Sequence, residues 1–154
     1  MAYFRFIRAN WVFLLAGFLL TFTSAYGQTY FISLFAGEIK GSFGLSDGQW
    51  GGIYTIGTTL SAITMVWAGV LTDRFRVRRL SFWVMIALAG ACLAMAAVPN
   101  WIALIFVIYA LRLSGQGMMS QLSAVAMVRW FEAARGKALS LSSMGFAAGQ
   151  AILP

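Results

Sequence analysis

The chain has 154 residues, of which 61% are hydrophobic and 10% are charged, and it contains no His. Because a soluble domain has about a quarter of its residues charged, this composition excludes a globular enzyme, a zinc-finger module and a disordered tail. The net charge of +7 lies in an apolar background. Because Lys and Arg mark the cytoplasmic loops of membrane proteins, this charge does not indicate nucleic-acid binding.

Runs of about 20 apolar residues predict membrane-spanning helices, because that length crosses roughly 30 Å of hydrocarbon. Five such runs lie at residues 10–33, 50–71, 80–98, 101–128 and 138–154. The sequence therefore predicts an all-α integral membrane protein. The fifth run is short and ends without a charged anchor, so we interpret residues 1–154 as the N-terminal portion of a longer protein whose last span is incomplete.

The start of the chain also has features of a cleavable signal peptide. Arg5 and Arg8 precede the apolar stretch, and small residues follow near Ala25, as in a signal-peptide cleavage site. Apolar residues nevertheless continue through Phe35. This continuation favours a retained first span.

The basic residues of the connections alternate between the two sides of the membrane. Arg5 and Arg8 precede the first run, and the second and fourth connections are rich in Arg, whereas the first has only Lys40 and the third has no basic residue. Because Lys and Arg accumulate in cytoplasmic loops, we predict a multi-pass protein of the bacterial inner (cell) membrane with a cytoplasmic N-terminus.

The second connection contains a recognisable signature. It reads Gly69-Val70-Leu71-Thr72-Asp73-Arg74-Phe75-Arg76-Val77-Arg78-Arg79. This resembles the cytoplasmic motif Gly-x-Leu-Ala-Asp-Arg-x-Gly-Arg-Lys/Arg of the major facilitator superfamily, with matches at Gly69, Leu71, Asp73, Arg74 and Arg78. The resemblance implies that Asp73 is an interdomain latch that holds the outward-open state, with Arg74 and Arg78 as its partners or as lipid contacts.

Part of this connection departs from the signature. Arg76 and Val77 stand where the family has glycine and a basic residue. A merely basic loop is the alternative interpretation, which explains the arginines but not Gly69 and Asp73. A further hypothesis makes Arg74–Arg79 an anionic-lipid contact, to which each arginine would add about 1 kcal/mol of attraction.

The fourth run contains the only charge inside any predicted span. In Leu111-Arg112-Leu113-Ser114-Gly115-Gln116-Gly117, Arg112 lies roughly 17 Å along the helix from Trp101, near the bilayer centre. The family has an Arg at a comparable place. An intramembrane Arg costs at least about 2.5–3.5 kcal/mol and usually faces a cavity or a partner. Two roles stay open, namely binding an anionic substrate and holding helices together.

Other polar residues are candidates for the same substrate path. A buried amide in lipid needs a partner, which favours Gln28 in the first run. The predicted substrate-binding candidates are Arg112, Gln28, Gln116, Tyr26 and Tyr30. In the fifth run, Gly145 and Gly149 form a small-residue strip for close helix packing, which also resembles a glycine-rich signature of the family.

The chemistry that is missing from the sequence limits the function. The four acidic residues lie in or beside connections, and there is no carboxylate pair, metal-ligand spacing or Ser-His pairing. We therefore predict no catalytic residue, no metal, no cofactor and no enzymatic activity.

The family resemblance implies twelve helices in two halves, with a substrate site between them and alternating access. We predict the N-terminal part of a secondary active transporter for a small solute, such as an organic anion of the monocarboxylate type. Its predicted partners are the substrate, the lipid bilayer and the missing C-terminal half. The alternative is a truncated, non-transporting membrane protein or a docking partner of a full transporter.

Overall fold

The computed structural model describes residues 2–153, and the described residues form helices without any strand. The α-helices are α1 (Ala2–Thr23), α2 (Thr29–Leu34), α3 (Ala36–Phe43), α4 (Asp47–Arg74), α5 (Val77–Ala96), α6 (Trp101–Leu111), α7 (Ser120–Trp130) and α8 (Arg135–Ile152). A π-helical segment, Arg112–Met119, joins α6 to α7, so the chain is helical from Trp101 to Trp130. Short 3₁₀ turns lie at Ser24–Gly27 and Glu132–Ala134. The predicted all-α class is confirmed.

Four helical stretches are long and apolar enough to cross a membrane. They are Phe4–Leu34, Asp47–Arg74, Val77–Ala96 and Trp101–Trp130. They coincide with the first four predicted runs, and each of the first, second and fourth is longer than its run. The fifth run forms α8, which has 18 residues but begins with the charged Arg135 and Lys137, so its role as a fifth span stays a prediction.

The polar connections contain more helix than predicted. α4 continues through Asp73 and Arg74, and α5 begins at Val77, so two residues separate the helices. Charged side chains at a membrane surface reach into water while the backbone stays helical, which is why the charge run did not mark the helix ends. The connection before the second span also contains helix, because α3 occupies half of residues 34–49. Its C-cap is Gly44, whose φ of 62° suits glycine.

The predicted first span is a broken helix rather than a continuous one. After α1, the 3₁₀ turn leads to Gln28, whose backbone is extended at φ −83° and ψ 151°. Ser24 supports the turn by donating its hydroxyl to the carbonyl oxygen of Thr21 at 2.6 Å, a local bond that competes with regular helix. The break releases backbone groups within the first apolar stretch, and lipid cannot satisfy such groups.

The fourth span is the centre of the bundle. Half of its most apolar window is buried, against 17% for each of the other three stretches. It packs against α1, α4, α5 and α8. Large apolar side chains such as Val66, Trp67 and Leu93 are exposed, whereas Ser24, Gln28, Arg112 and Ser123 are buried. The exposed apolar surface fits a lipid environment, where it faces hydrocarbon.

Candidate substrate-binding site

The first and fourth spans cross at a pair of glycines. A Cβ added to Gly115 would lie 2.6 Å from the Cα atom of Gly27, and one added to Gly27 would overlap the carbonyl oxygen of Leu111. The two backbones therefore touch, as glycine pairs allow in membrane helices. Because the crossing coincides with the broken turn of one helix and the π-helical segment of the other, irregular backbone from both spans meets at one point.

Arg112 lies at this crossing and reaches across the break in the first span. Its side chain is buried, with 8% of the residue exposed. One Nη1 atom donates to the hydroxyl of Thr29 at 2.9 Å and to the carbonyl oxygen of Gly27 at 3.4 Å. The guanidinium thus contacts the residues on both sides of Gln28, through the backbone carbonyl of Gly27 and the side-chain hydroxyl of Thr29.

The second span completes the surroundings of this arginine. The guanidinium carbon lies 5.7 Å from the centre of the Tyr54 ring, within cation–π range. The Tyr54 hydroxyl is also 3.0 Å from the hydroxyl of Thr29. Within the described part of the chain, the Nε atom of Arg112 is buried and has no hydrogen-bond partner. The arginine therefore keeps an unused donor among neutral partners.

Sequence reasoning missed Thr29 and Tyr54. Thr29 lies 83 residues from Arg112 along the chain, and its pairing with Tyr54 joins two different spans. Both residue types are common in membrane helices, so neither carried a local signal. A search for polar side chains next to the predicted candidate Gln28 would have included Thr29, because the two residues are adjacent in sequence.

The predicted candidates occupy different surroundings. Gln28 is buried at the break, between the two residues that Arg112 contacts. The backbone nitrogen of Gln116 lies beside Gly27, and its side-chain Oε1 atom is buried without a partner among the described residues. These two residues therefore lie at the crossing with Arg112.

The two tyrosines lie elsewhere. The Tyr26 ring packs edge-on against Phe31 at 5.3 Å. The Tyr30 ring packs edge-on against Phe146 of α8 at 5.9 Å, and its hydroxyl is buried without a partner in the part of the chain that the structure describes. The structure does not bring either ring into contact with Arg112.

A cavity of about 510 Å³ lies at the predicted outer end, between α2, α3 and α5. Its lining is mainly apolar and includes Tyr26, Phe35, Cys92 and Leu111. Glu38 is the one charged residue among the described residues that line it. Arg112 does not line this cavity, so the cavity and the glycine crossing are separate features.

At the opposite end, Asp73 joins two basic connections. Its carboxylate accepts a hydrogen bond from Arg129 at 3.0 Å, with 76% of the Asp73 side chain and 41% of the Arg129 side chain exposed. Asp73 pairs with Arg129 rather than with Arg74 or Arg78, because α4 and α7 end side by side and bring Arg129 closer. The alternative role of Arg74 and Arg78 as lipid contacts stays a prediction. The carboxylate is also exposed rather than buried. The ion pair places the second and fourth connections at one end of the bundle.

Gly69 and the α8 glycines lie at tight helix contacts. A Cβ on Gly69 would lie 3.2 Å from the Nε2 atom of Gln121 in α7. A Cβ on Gly145 would overlap the Phe18 carbonyl, and one on Gly149 would lie 2.9 Å from the Cβ atom of Ala25. These positions bring α4 against α7 and α8 against α1.

The comparisons with known proteins agree with the signature in the second connection. The family model described as Major Facilitator Superfamily matches residues 10–154. The chain belongs to the major facilitator superfamily. Neither the comparison with curated proteins nor that with solved structures finds a match. This family is a transporter family whose members handle small molecules within a lipid bilayer, so the chain is an integral, multi-pass membrane protein of a transporter family.

In this facilitator-superfamily chain, the described residues hold no group of three or more His, Cys, Asp and Glu that is able to bind a metal ion. The polar groups at the glycine crossing are a guanidinium, hydroxyls, amides and a backbone carbonyl. Such groups recognise a solute by charge and hydrogen bonding. The crossing is therefore the candidate substrate site of this chain.

The Asp73–Arg129 ion pair of this facilitator-superfamily protein gives a stability prediction. Because both side chains are exposed, Asp73→Asn is expected to change the free energy of unfolding by less than about 1 kcal/mol. Denaturant unfolding in detergent measures this, with Arg129→Gln and the double variant completing a thermodynamic cycle. A loss several times larger would show that the pair is shielded from water.

Proposed function

We propose that this chain is the N-terminal part of a secondary active transporter that carries a small organic anion, such as a monocarboxylate, across the bacterial inner membrane. The observation that carries the proposal is the buried, cationic Arg112 among neutral partners at the crossing of the first and fourth spans. Its proposed role is to bind the carboxylate of the substrate.

The charge balance at the crossing favours an anionic ligand. The partners of Arg112 are a hydroxyl, a carbonyl oxygen and an aromatic face, and no carboxylate lies within 4 Å of it among the described residues. These groups solvate a guanidinium but do not neutralise it. Because a buried charge is costly unless it is paired, an anionic solute would gain free energy from binding there.

The donor geometry favours a carboxylate in particular. A guanidinium presents several N–H groups in a planar fork, which matches the two oxygens of a carboxylate. The unpartnered Nε donor of Arg112 leaves part of this fork available. Gln28 and Gln116 are proposed as neighbouring substrate contacts, and Tyr26 and Tyr30 as outlying ones.

Two exposed stripes favour a second half-domain as partner. Most exposed residues of a lipid-facing helix are large and apolar, but α4 and α8 each carry a line of small or polar exposed residues. These are Gly48, Gly52, Thr55 and Thr59 on α4, and Ser140, Ser143, Ala147 and Ala151 on α8. Small residues permit close helix packing in membranes. We propose that the C-terminal half of the transporter packs against these stripes.

Alternating access would then come from rocking of the two halves around the midplane site. In this scheme the second connection, with Gly69, Asp73, Arg74 and Arg78, forms the conformational latch on the cytoplasmic side. The exposed carboxylate of Asp73 is available to groups of the other half. A non-transporting protein that docks on a complete transporter is the alternative function.

A matched pair of ligands tests the substrate class. Lactate and lactamide have nearly the same shape, but only lactate carries a charge. We expect lactate to raise the melting temperature of the protein in lipid nanodiscs and lactamide to leave it unchanged, because ligands that bind only the folded state stabilise it. Equal effects of the two compounds, or no effect of either, would contradict an anion site.

A second experiment tests the need for a partner half. Cells that express the 154-residue chain alone are expected to show no uptake of labelled lactate above background. Uptake by this chain alone would contradict the proposed C-terminal half but would leave the anion site intact. Lactate binding without uptake is the result that the proposal expects from the two experiments together.

A further inference from the structure

We propose that the start of α5 and the residues before it bind the headgroup of an anionic phospholipid. We define the basic-aromatic patch as Arg74, Arg76, Arg78, Arg79, Phe82 and Trp83. All six side chains are exposed. The proposal is independent of the substrate that the protein carries.

The arginines of the patch lack internal partners. Among the described residues, the acidic residue closest to them in sequence, Asp73, forms its ion pair with Arg129, and none of the four arginines lies within 4 Å of a carboxylate. Four unpaired positive charges within six residues repel one another. An external anion would relieve this repulsion.

The position of the patch on α5 makes the charges more unfavourable still. Arg78 and Arg79 lie in the first turn of α5, and this turn contains no acidic residue. The N-terminal end of a helix carries partial positive charge, so cations there lower helix stability. The arginines therefore do not serve the helix itself, and an anionic partner would be favoured by both the side chains and the helix end.

The aromatic residues lie one turn deeper on the same faces. Phe82 and Trp83 follow Arg78 and Arg79 by four residues, which places each ring on the same side of α5 as one arginine. Their exposed fractions are 60% and 58%, and their rings pack edge-on at 5.7 Å. Rings at this depth, about 6 Å below the charges along the helix axis, match the interfacial level that Trp prefers.

This pairing of charges with rings one turn deeper on the same helix is absent from the start of α8. Arg135 and Lys137 are exposed too, but Leu139 and Leu141, four residues further along α8, are partly buried. The positive-inside rule accounts for charge in both connections and requires no outward ring below it. We infer that the basic-aromatic patch holds the phosphate of a phospholipid at its arginines and the glycerol region at its rings.

Brominated lipids test the assignment, because bromine quenches only nearby Trp fluorescence. The protein is reconstituted in phosphatidylcholine that contains either brominated phosphatidylglycerol or brominated phosphatidylcholine. We expect stronger quenching by the anionic lipid. Trp83→Phe removes the local reporter without changing charge, so the difference between the two lipids should largely disappear in this variant.

Two charge-matched variants separate a site from diffuse attraction. Arg78→Gln with Arg79→Gln is expected to weaken the preference for phosphatidylglycerol about 25-fold, since each arginine contributes about 5-fold. The control, Arg135→Gln with Lys137→Gln, loses the same charge and should keep the preference. An equal loss in both variants, or no loss in the first, would overturn the proposal.

Further measurements keep the test decisive. The melting temperature in pure phosphatidylcholine shows whether each double variant is folded. If Arg78→Gln with Arg79→Gln is unfolded, the salt dependence of the wild-type preference for phosphatidylglycerol tests the proposal instead. High salt should abolish a preference that depends on exposed charges, and persistence would overturn it. Loss of the preference on adding inorganic phosphate would assign the patch to a free anion instead. Absence of quenching by either lipid would mean that protein covers the patch.

Discussion

Replacement of Arg112 by Met is expected to abolish binding of a small carboxylate while the protein remains folded. Hydrogen bonds to charged groups contribute about 1.5–3 kcal/mol each, so the loss of one bond weakens binding roughly 10- to 150-fold. Met has a comparable length and no charge, and it removes the desolvation cost of a buried charge that no carboxylate neutralises. The melting temperature in nanodiscs, measured at increasing lactate concentration, reports both the loss of lactate binding and the stability of the variant.

A control variant removes the partner of Arg112 instead of the charge. Thr29→Val keeps the shape of the side chain but deletes the hydroxyl that accepts from Arg112 and that contacts Tyr54. We expect it to lower the free energy of unfolding by about 1–3 kcal/mol, because the buried guanidinium loses an acceptor.

The double variant shows whether the two residues act together. If Thr29 stabilises the protein through Arg112, adding Thr29→Val to Arg112→Met should lower the free energy of unfolding much less than Thr29→Val does alone. Retained lactate binding in Arg112→Met would contradict the proposed substrate role. Unfolding of the Arg112→Met protein would show that the arginine mainly holds the helices together, which is the role that sequence analysis left open.

Gly115→Ala is expected to destabilise the protein strongly. The added Cβ would lie 2.6 Å from the Cα atom and 2.7 Å from the nitrogen of Gly27, so it meets backbone on the facing helix. No side chain is available to rotate away, and the two spans must separate. Overpacking of this kind costs at least about 1–3 kcal/mol, and separation would also strain the Arg112 contacts across the break.

Gly90→Ala is the matched control, because nothing lies within 4 Å of a Cβ added there. Ala favours helix over Gly by roughly 0.5–1 kcal/mol, so this variant should be unchanged or slightly more stable. Denaturant unfolding and the yield of monodisperse protein in detergent compare the two. Similar stability of both variants would show that the first and fourth spans do not touch at Gly27 and Gly115.

The lipid patch and the substrate site are separable in these experiments. The arginines of the basic-aromatic patch lie at the end of the bundle that carries the Asp73–Arg129 pair, whereas Arg112 lies in the middle of the fourth span. Arg79→Gln, which leaves the latch residues intact, should therefore leave the lactate titration unchanged, and Arg112→Met should leave the lipid preference unchanged. The lactate titration therefore tests the substrate site, and the lipid preference tests the basic-aromatic patch, each independently of the other.

The sequence by itself determined the class of the protein, its four helical stretches that are apolar enough to cross a membrane, its family and the place of Arg112 within the fourth stretch. Each of these follows from local quantities: the length of an apolar run, the count of arginines in a connection, or the spacing of a motif. A helix in lipid satisfies its own backbone, so its existence depends little on distant residues. The ends of the helices were less well predicted, because Asp73 and Arg74 remain helical while their charges reach water.

Tertiary structure alone decided which groups meet. The break at Gln28, the Thr29 and Tyr54 partners of Arg112, and the choice of Arg129 as the partner of Asp73 all depend on how helices cross. The crossing is possible because two glycines, far apart in sequence, both lack a side chain. The local sequence does not distinguish a glycine or threonine at a helix contact from one elsewhere. Only the packing of a second helix against such a residue gives it a role.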